Sequence, residues 1–227
     1  MCGRFAEFST LERLHAFYPI DQVDTVLSPN YNVAPTQDIL AITRKNDLNI
    51  LERLRWGLVP FWAKDRKIGS KMINARVETA ASKPAFRSAF KSRRCLIPAD
   101  GFYEWKGKPG DKLPVFITLP DEKPFAFAGL WEIWDSKEEA EPLQSCTILT
   151  TDASPAIRDI HHRMPVILKS DFYRDWLHPE TTAPSLDKLL AEMIHTEFSY
   201  RPVSRAVNSV KNNSADLIRN SEPGSAV

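Results

Sequence analysis

Along this 227-residue chain the spacing of apolar and polar positions changes repeatedly, and each change marks an element. Leu11, Leu14 and Phe17 recur at helical spacing behind Ser9-Thr10-Leu11-Glu12, which has the form of a capping box. DILAIT at 38–43 and NILERL at 49–54 read as strands flanking the turn-forming run Lys45-Asn46-Asp47. Ser82-Lys83-Pro84 predicts a helix with proline near its first turn and Phe86 and Phe90 on one face. RCLIP at 94–98, PVFIT at 114–118, FAFAGLW at 125–131 and SCTILT at 145–150 are β-rich. Ser154-Pro155 opens a short helical segment ending near Ile160. Ser170 caps a helix through Trp176, and Ser185 caps another through Ile194. The strands are short, the helices come singly and no βαβ rhythm appears. The expected fold class is α+β: a single mixed domain over residues 1–220 with curved, mainly antiparallel sheets and a few short helices, followed by a short tail at 221–227. Neither GxGxxG nor GxxxxGK[ST] is present, which argues against a nucleotide-binding α/β fold.

Composition narrows the class. Hydrophobic residues at 43% and charged residues at 26% are globular averages, which excludes a disordered chain, a coiled coil or a collagen-like repeat. No apolar run approaches the roughly 20 residues of a membrane span. The start, MCGRFAEFST, lacks the basic and apolar regions of a secretion signal. Cys2, Cys95 and Cys146 are too few and too scattered for a disulfide framework, so a cytoplasmic setting is expected. The net charge of +1 hides a polarised distribution. Residues 63–94 carry Lys64, Arg66, Lys67, Lys71, Arg76, Lys83, Arg87, Lys91, Arg93 and Arg94 against only Asp65 and Glu78. Residues 132–141 are acidic. Such a chain can present one basic face while staying nearly neutral overall, although most charge runs are simply solvated faces.

Cys2 carries the most distinctive chemistry. Met1 is normally trimmed ahead of a residue this small, which leaves an α-amine beside a thiol. Their ordinary pKa values, about 7.7–8.0 and 8.5, give both a nucleophilic fraction near neutrality. An amine condenses with an aldehyde to an imine, and a thiol on the adjacent carbon then closes a five-membered thiazolidine; no internal cysteine can do this. With Met1 retained the nitrogen is an amide and the chemistry is blocked. Asn74 lies among hydrophobes in Met72-Ile73-Asn74-Ala75-Arg76, and Glu104 lies among aromatics in Gly101-Phe102-Tyr103-Glu104-Trp105. An apolar wall raises a carboxyl pKa toward the range useful for proton transfer. His161 and His162 are adjacent, and on an extended segment at most one enters a given site. Each of these residues can equally be a satisfied structural group, because such networks also perturb titration. CxxC and HExxH are absent, so no metal site is indicated, and Gly-x-Ser-x-Gly is absent too.

Aromatics adjoin the basic run. Arg55-Trp56-Gly57-Leu58-Val59-Pro60-Phe61-Trp62 leads into Lys64, Arg66 and Lys67. Such residues either stack on unpaired bases or belong to the core. Ser204, Arg205 and Asn208 in PVSRAVN offer groups that hold phosphate.

The ordered motifs MCGRF, YNVAP (31–35), RWGLVPFW (55–62), INARVETA (73–80), CLIPADGFYEW (95–105), ILTTDAS (148–154), DIHHRMPVIL (159–168) and PVSRAVNSVKN (202–212) resemble the SOS-response-associated peptidase (SRAP) family, the abasic-site processing proteins. The resemblance covers almost the whole chain. It implies binding to single-stranded DNA, including junctions with duplex, and a thiazolidine cross-link between the N-terminal cysteine and a ring-opened abasic sugar. By motif, Cys2 is the nucleophile, Asn74 positions the N-terminal residue and the sugar, Glu104 transfers protons, and His161 is the site histidine. Arg4, Arg76, Thr150, Ser204 and Arg205 match positions expected near phosphates. Asn32, Trp56, Pro60 and Trp62 match the stretch expected to shape the single-strand groove. The resemblance further implies self-removal of Met1 and an abasic-site lyase side reaction, with no cofactor or metal, in a nucleoid-associated monomer. Two rivals stand beside this reading: an N-terminal-nucleophile amidohydrolase, in which the amine serves Cys2 as base, and a non-enzymatic single-strand-binding module.

Overall fold

In a computed structural model, the chain is described at residues 2–108, 110–136, 140–181 and 192–221. Its strands are β1 (Phe5–Glu7), β2 (Gln22–Val23), β3 (Asn30–Val33), β4 (Asp38–Lys45), β5 (Leu48–Trp56), β6 (Asn74–Arg76), β7 (Arg94–Ala99), β8 (Gly101–Lys106), β9 (Leu113–Thr118), β10 (Phe125–Trp134), β11 (Leu143–Asp152), β12 (Arg163–Pro165), β13 (Ile167–Leu168) and β14 (Ser199–Pro202). The α-helices are α1 (Leu11–Phe17), α2 (Val77–Ala80), α3 (Arg87–Ser92) and α4 (Tyr173–Leu177), with short 3-10 turns at Arg66–Lys71, Ser170–Phe172, Arg205–Asn208 and Ala215–Ile218.

Two sheets form, as the mixed α+β expectation requires. One runs β14-β9-β8-β1-β3, and the other contains the path β11-β10-β7-β4-β5. A parallel pairing of β11 with β5, Ser145 opposite Arg55, closes that path into a five-strand ring. Alternation along β4 explains how both faces are used. Ile39 and Ala41 enter the core between the sheets with Phe5, Trp56, Phe102 and Phe127, while Leu40 and Ile42 pack outward against α1, α3 and α4. The far side of the five-stranded sheet is covered by Val203, Val207 and Leu217 of the C-terminal turns. Among the described residues no helix is long and apolar enough to cross a membrane.

The local signals shift by small amounts. Thr10, not Ser9, caps α1, because Ser9 instead bonds to the buried Asp100. The turn between β4 and β5 narrows to Asn46-Asp47, both at positive φ, the geometry these residue types tolerate in a two-residue hairpin. Residues 82–86 are turns and α3 starts only at Arg87, so Pro84 precedes the helix it was expected to open. The segment from Ser154 to Ile160 forms hydrogen-bonded turns rather than a continuous helix. The helix expected from Ser185 lies largely outside the described residues. Gly57, at φ +131°, ends β5 where a Cβ would stand 2.6 Å from Gly69 O, so glycine lets the two loops touch.

Two cations of the basic run serve the fold instead of a surface. Arg93 pairs with Glu132 at 2.7 Å. Arg94, 2% exposed, donates to Phe90 O and Lys91 O at the end of α3 and to Trp176 O and His178 O at the end of α4. It thereby fills the open carbonyls of two helix termini. Arg94→Met leaves those carbonyls buried without donors and is expected to lower stability by about 3 kcal/mol or more, measurable by urea denaturation.

Glu7 is a second buried charge site. Its Oε2 accepts from Leu40 N at 3.0 Å and its Oε1 from Arg53 at 3.2 Å, while burial pushes the carboxyl up to about 7. The folded chain therefore holds this proton more tightly than the unfolded chain. Its stabilising contribution is full below pH about 4.5 and is lost as pH rises toward about 7, a change on the order of 3 kcal/mol. Denaturation at pH 5 and pH 8 is expected to show that loss, and Glu7→Gln to flatten it.

Candidate active site

Strand pairing delivers the N-terminus to Glu104. β1 runs antiparallel to β8 with Phe5 opposite Phe102, and Tyr103 N donates to Arg4 O at 2.9 Å. Continuing this register carries Gly3 and Cys2 alongside Glu104. Phe5 anchors the strand by edge contacts with Trp56 at 5.2 Å and Phe127 at 5.5 Å. Asn74 arrives from the other sheet on β6, opposite Ile148 of β11, and its Nδ2 donates to Cys2 O at 2.8 Å. Asn74 Oδ1 is buried and has no hydrogen-bond partner among the described residues, so an acceptor is held ready at the site.

The electrostatics tie the same residues together. Glu104 is 7% exposed, and burial raises its carboxyl above the usual range against the pull of the positive amino terminus. Cys2 is fully buried; burial, then the Glu104 charge, push its thiol well up. The thiol therefore ionises less readily in this setting than its ordinary value gives. His161 is half-buried, and burial and the amino terminus lower its pKa. Its Nδ1 lies 2.9 Å from Arg163 N and 3.0 Å from Arg163 O, so the Arg163 backbone holds the ring in place and leaves Nε2 out of that contact. His162 does not point the opposite way. The two rings stack at 4.5 Å, because the pair sits in a bend ahead of β12 and not on a strand.

The expected groove residues divide into two groups. Arg76, Arg205 and Trp62 (48% exposed) are open to solvent, and Ser204 is half-buried with its Oγ accepting from Ala206 N. Arg4 is half-buried, donating to Asn32 Oδ1 at 2.7 Å and Val207 O at 2.8 Å. The others are interior. Trp56 is fully buried, and its Nε1 donates to Ile73 O at 2.8 Å, fixing the residue before Asn74. Thr150 is buried opposite Arg76 in the β11–β6 pairing. Pro60 is buried. Asn32, 1% exposed, donates to Ser209 O and Asn212 O and so brackets the C-terminal loop. Their packing needs outcompete solvent exposure, and they support the site from behind. Of the basic run, Lys64, Arg66, Lys67, Lys71, Arg76, Lys83, Arg87 and Lys91 remain exposed.

Two residues near the site, Trp105 and Arg163, escaped the sequence reading. Trp105, beside Glu104, donates to Asn208 Oδ1 at 2.8 Å, and the Arg4 guanidinium lies 6.0 Å from its ring. Trp105 was visible only as the end of GFYEW, and Asn208, expected to hold phosphate, accepts from it instead. Arg163 was hidden altogether, because its carboxylate partner Glu78 stands 85 positions away.

Comparison with known proteins places the chain among relatives. The chain is 49% identical over 222 residues to the abasic site processing protein YoaM of Bacillus subtilis, covering 96% of this chain and 97% of that one. It is 34% identical to the abasic site processing protein YedK of Escherichia coli, covering 96% and 99%. A crystal structure of a Bacteroides thetaiotaomicron protein superposes with a TM-score of 0.83 over 97% of this chain and 100% of that one; at 24% identity it establishes the shared fold. A family profile described as SOS response associated peptidase (SRAP) matches residues 1–210, and the chain belongs to that family.

Proposed function

We infer that this chain processes abasic sites: freed of Met1, it binds single-stranded DNA and captures the ring-opened sugar at Cys2 as a thiazolidine. The observation that carries the reading is the meeting of Asn74 and Glu104, from two sheets, at the N-terminal Cys2 of this chain, whose relatives are named abasic site processing proteins.

The chemistry follows from the local fields. The Cys2 α-amine attacks the C1′ aldehyde to give a carbinolamine. Glu104, which burial makes hold its proton more tightly, donates the proton on which water departs, leaving a protonated imine and a carboxylate. That carboxylate then takes the thiol proton as sulfur adds to C1′, and the nitrogen keeps its hydrogen in the ring. Amine and thiol together thus consume one aldehyde and release one water. The raised thiol pKa sets the order, because sulfur stays protonated until a base and an electrophile are both in place. Asn74 holds the Cys2 carbonyl, and His161 Nε2 serves a sugar hydroxyl. Without ring closure the imine loses the 3′ phosphate by β-elimination, the lyase side route. Met1 has to leave first, since an acylated nitrogen forms no imine.

The DNA path uses what is exposed. Arg76, Arg4, Ser204 and Arg205 take phosphates near the lesion. Trp62, with Phe61, Pro84, Arg87 and Lys91, lines a cleft of about 580 Å³ that suits a stacked base. With chromosomal DNA as the substrate, the proposed setting is the cytoplasm, at the nucleoid.

The test is a denaturing gel with an oligonucleotide treated with uracil glycosylase. A heat-stable shifted band on the abasic strand, and none on the intact strand, is expected. Equal, salt-sensitive binding to both strands without any adduct supports a simple binding module instead. Turnover of small amides without an adduct supports the amidohydrolase.

A further inference from the structure

We propose that Glu78 is a positioning residue that holds His161 and Asn74 at one site by clamping the Arg163 side chain. The proposal rests on the cross-linking reading above.

Arg163 is 8% exposed and ties three segments together. Its Nη1 and Nη2 bond both Glu78 oxygens, at 2.6 and 2.9 Å, in the bidentate geometry that fixes a guanidinium in one plane. Nη2 also donates to Thr150 O at 2.6 Å, and Nη1 to Asp152 at 2.8 Å. Glu78 follows Asn74 on the continuous run of β6 into α2. On the other side, the Arg163 backbone contacts His161 Nδ1 through both its N, at 2.9 Å, and its O, at 3.0 Å, and so fixes the position of the imidazole. The Glu78–Arg163 pair therefore bridges the strand that carries Asn74 and the bend that carries His161. Neither Glu78 nor Arg163 is needed to bond Cys2 itself.

Asp152 supplies the internal control. It makes one bond to the same guanidinium and its side chain is 83% exposed, so solvent replaces it readily. Glu78 makes two bonds at a less exposed position, and no other carboxylate among the described residues pairs with Arg163. Loss of Glu78 lets a buried guanidinium rotate toward Asp152 and loosens the start of β12. A displacement on the order of 1 Å in a reacting constellation costs about a hundredfold in rate.

The experiment measures single-turnover cross-linking as a function of abasic-strand concentration for Glu78→Ala, Glu78→Gln and Asp152→Asn. Each is also made in a His161→Ala background, and thermal melts report folding. Glu78→Ala is expected to lower the maximum rate at least tenfold, with half-saturation within threefold of the parent, and to cost less than threefold further when His161 is already alanine. Asp152→Asn stays within threefold of the parent. If Glu78→Ala fails to fold, Glu78→Gln, which keeps the shape and loses the charge, carries the same expectation. A parent-like maximum rate in the Glu78 variants overturns the proposal. So does a loss that adds in full to that of His161→Ala, the behaviour of a residue acting on stability alone. Absence of any adduct in the parent chain defeats the cross-linking reading itself and is thus told apart from failure of the clamp.

Discussion

Cys2→Ala keeps DNA binding and loses the heat-stable adduct entirely. Alanine is small enough for Met1 to be trimmed, so the α-amine is still produced. The imine therefore still forms, but no sulfur closes the ring, and heating reverses it. Borohydride treatment before denaturation is expected to trap the variant on the abasic strand, and strand cleavage by β-elimination is expected to increase. The substitution removes one buried sulfur at the margin of a core anchored by Phe5, Trp56 and Phe127, so the fold persists. A heat-stable band of parental intensity in the alanine variant contradicts the assignment.

The second large effect is at Glu104. Glu104→Gln preserves shape while removing proton transfer, and is expected to slow both ring formation and its reversal by about a hundredfold or more. Because burial raises this carboxyl, the parental rate has a limb above the ordinary carboxylate range, where the acid form needed for loss of water is titrated away. Glutamine removes that limb. Slowing in one direction only argues against a group that both donates and accepts, and equal rates in variant and parent remove Glu104 from the mechanism. The rates are read from gel time courses between pH 5 and pH 9.

What was legible in the chain was its local chemistry. Cys2 announces itself by position, and Asn74 and Glu104 by being polar among hydrophobes, a contrast that survives without knowledge of the fold. Strand segments such as FAFAGLW stood out for the same reason: a run buried on both faces has no polar alternative. What was not legible came from pairings distant in sequence. The parallel contact of β11 with β5 closes a ring between segments with no shared pattern. The cations after Trp56 left open whether it stacks on bases or belongs to the core, and only the fold shows that its indole reaches Ile73 O inside the core. Arg93 and Arg94 counted toward a basic face until Glu132 and two helix ends claimed them. Charge runs record composition, and only the fold decides which members face water.

Intact-mass analysis of the nuclease-trimmed adduct is the most direct test of the central claim. The account predicts a chain lacking Met1, carrying the sugar fragment less one water, with the added mass on the N-terminal peptide and no free thiol at Cys2. Adduct mass on a lysine, or on a chain that still bears Met1, contradicts it.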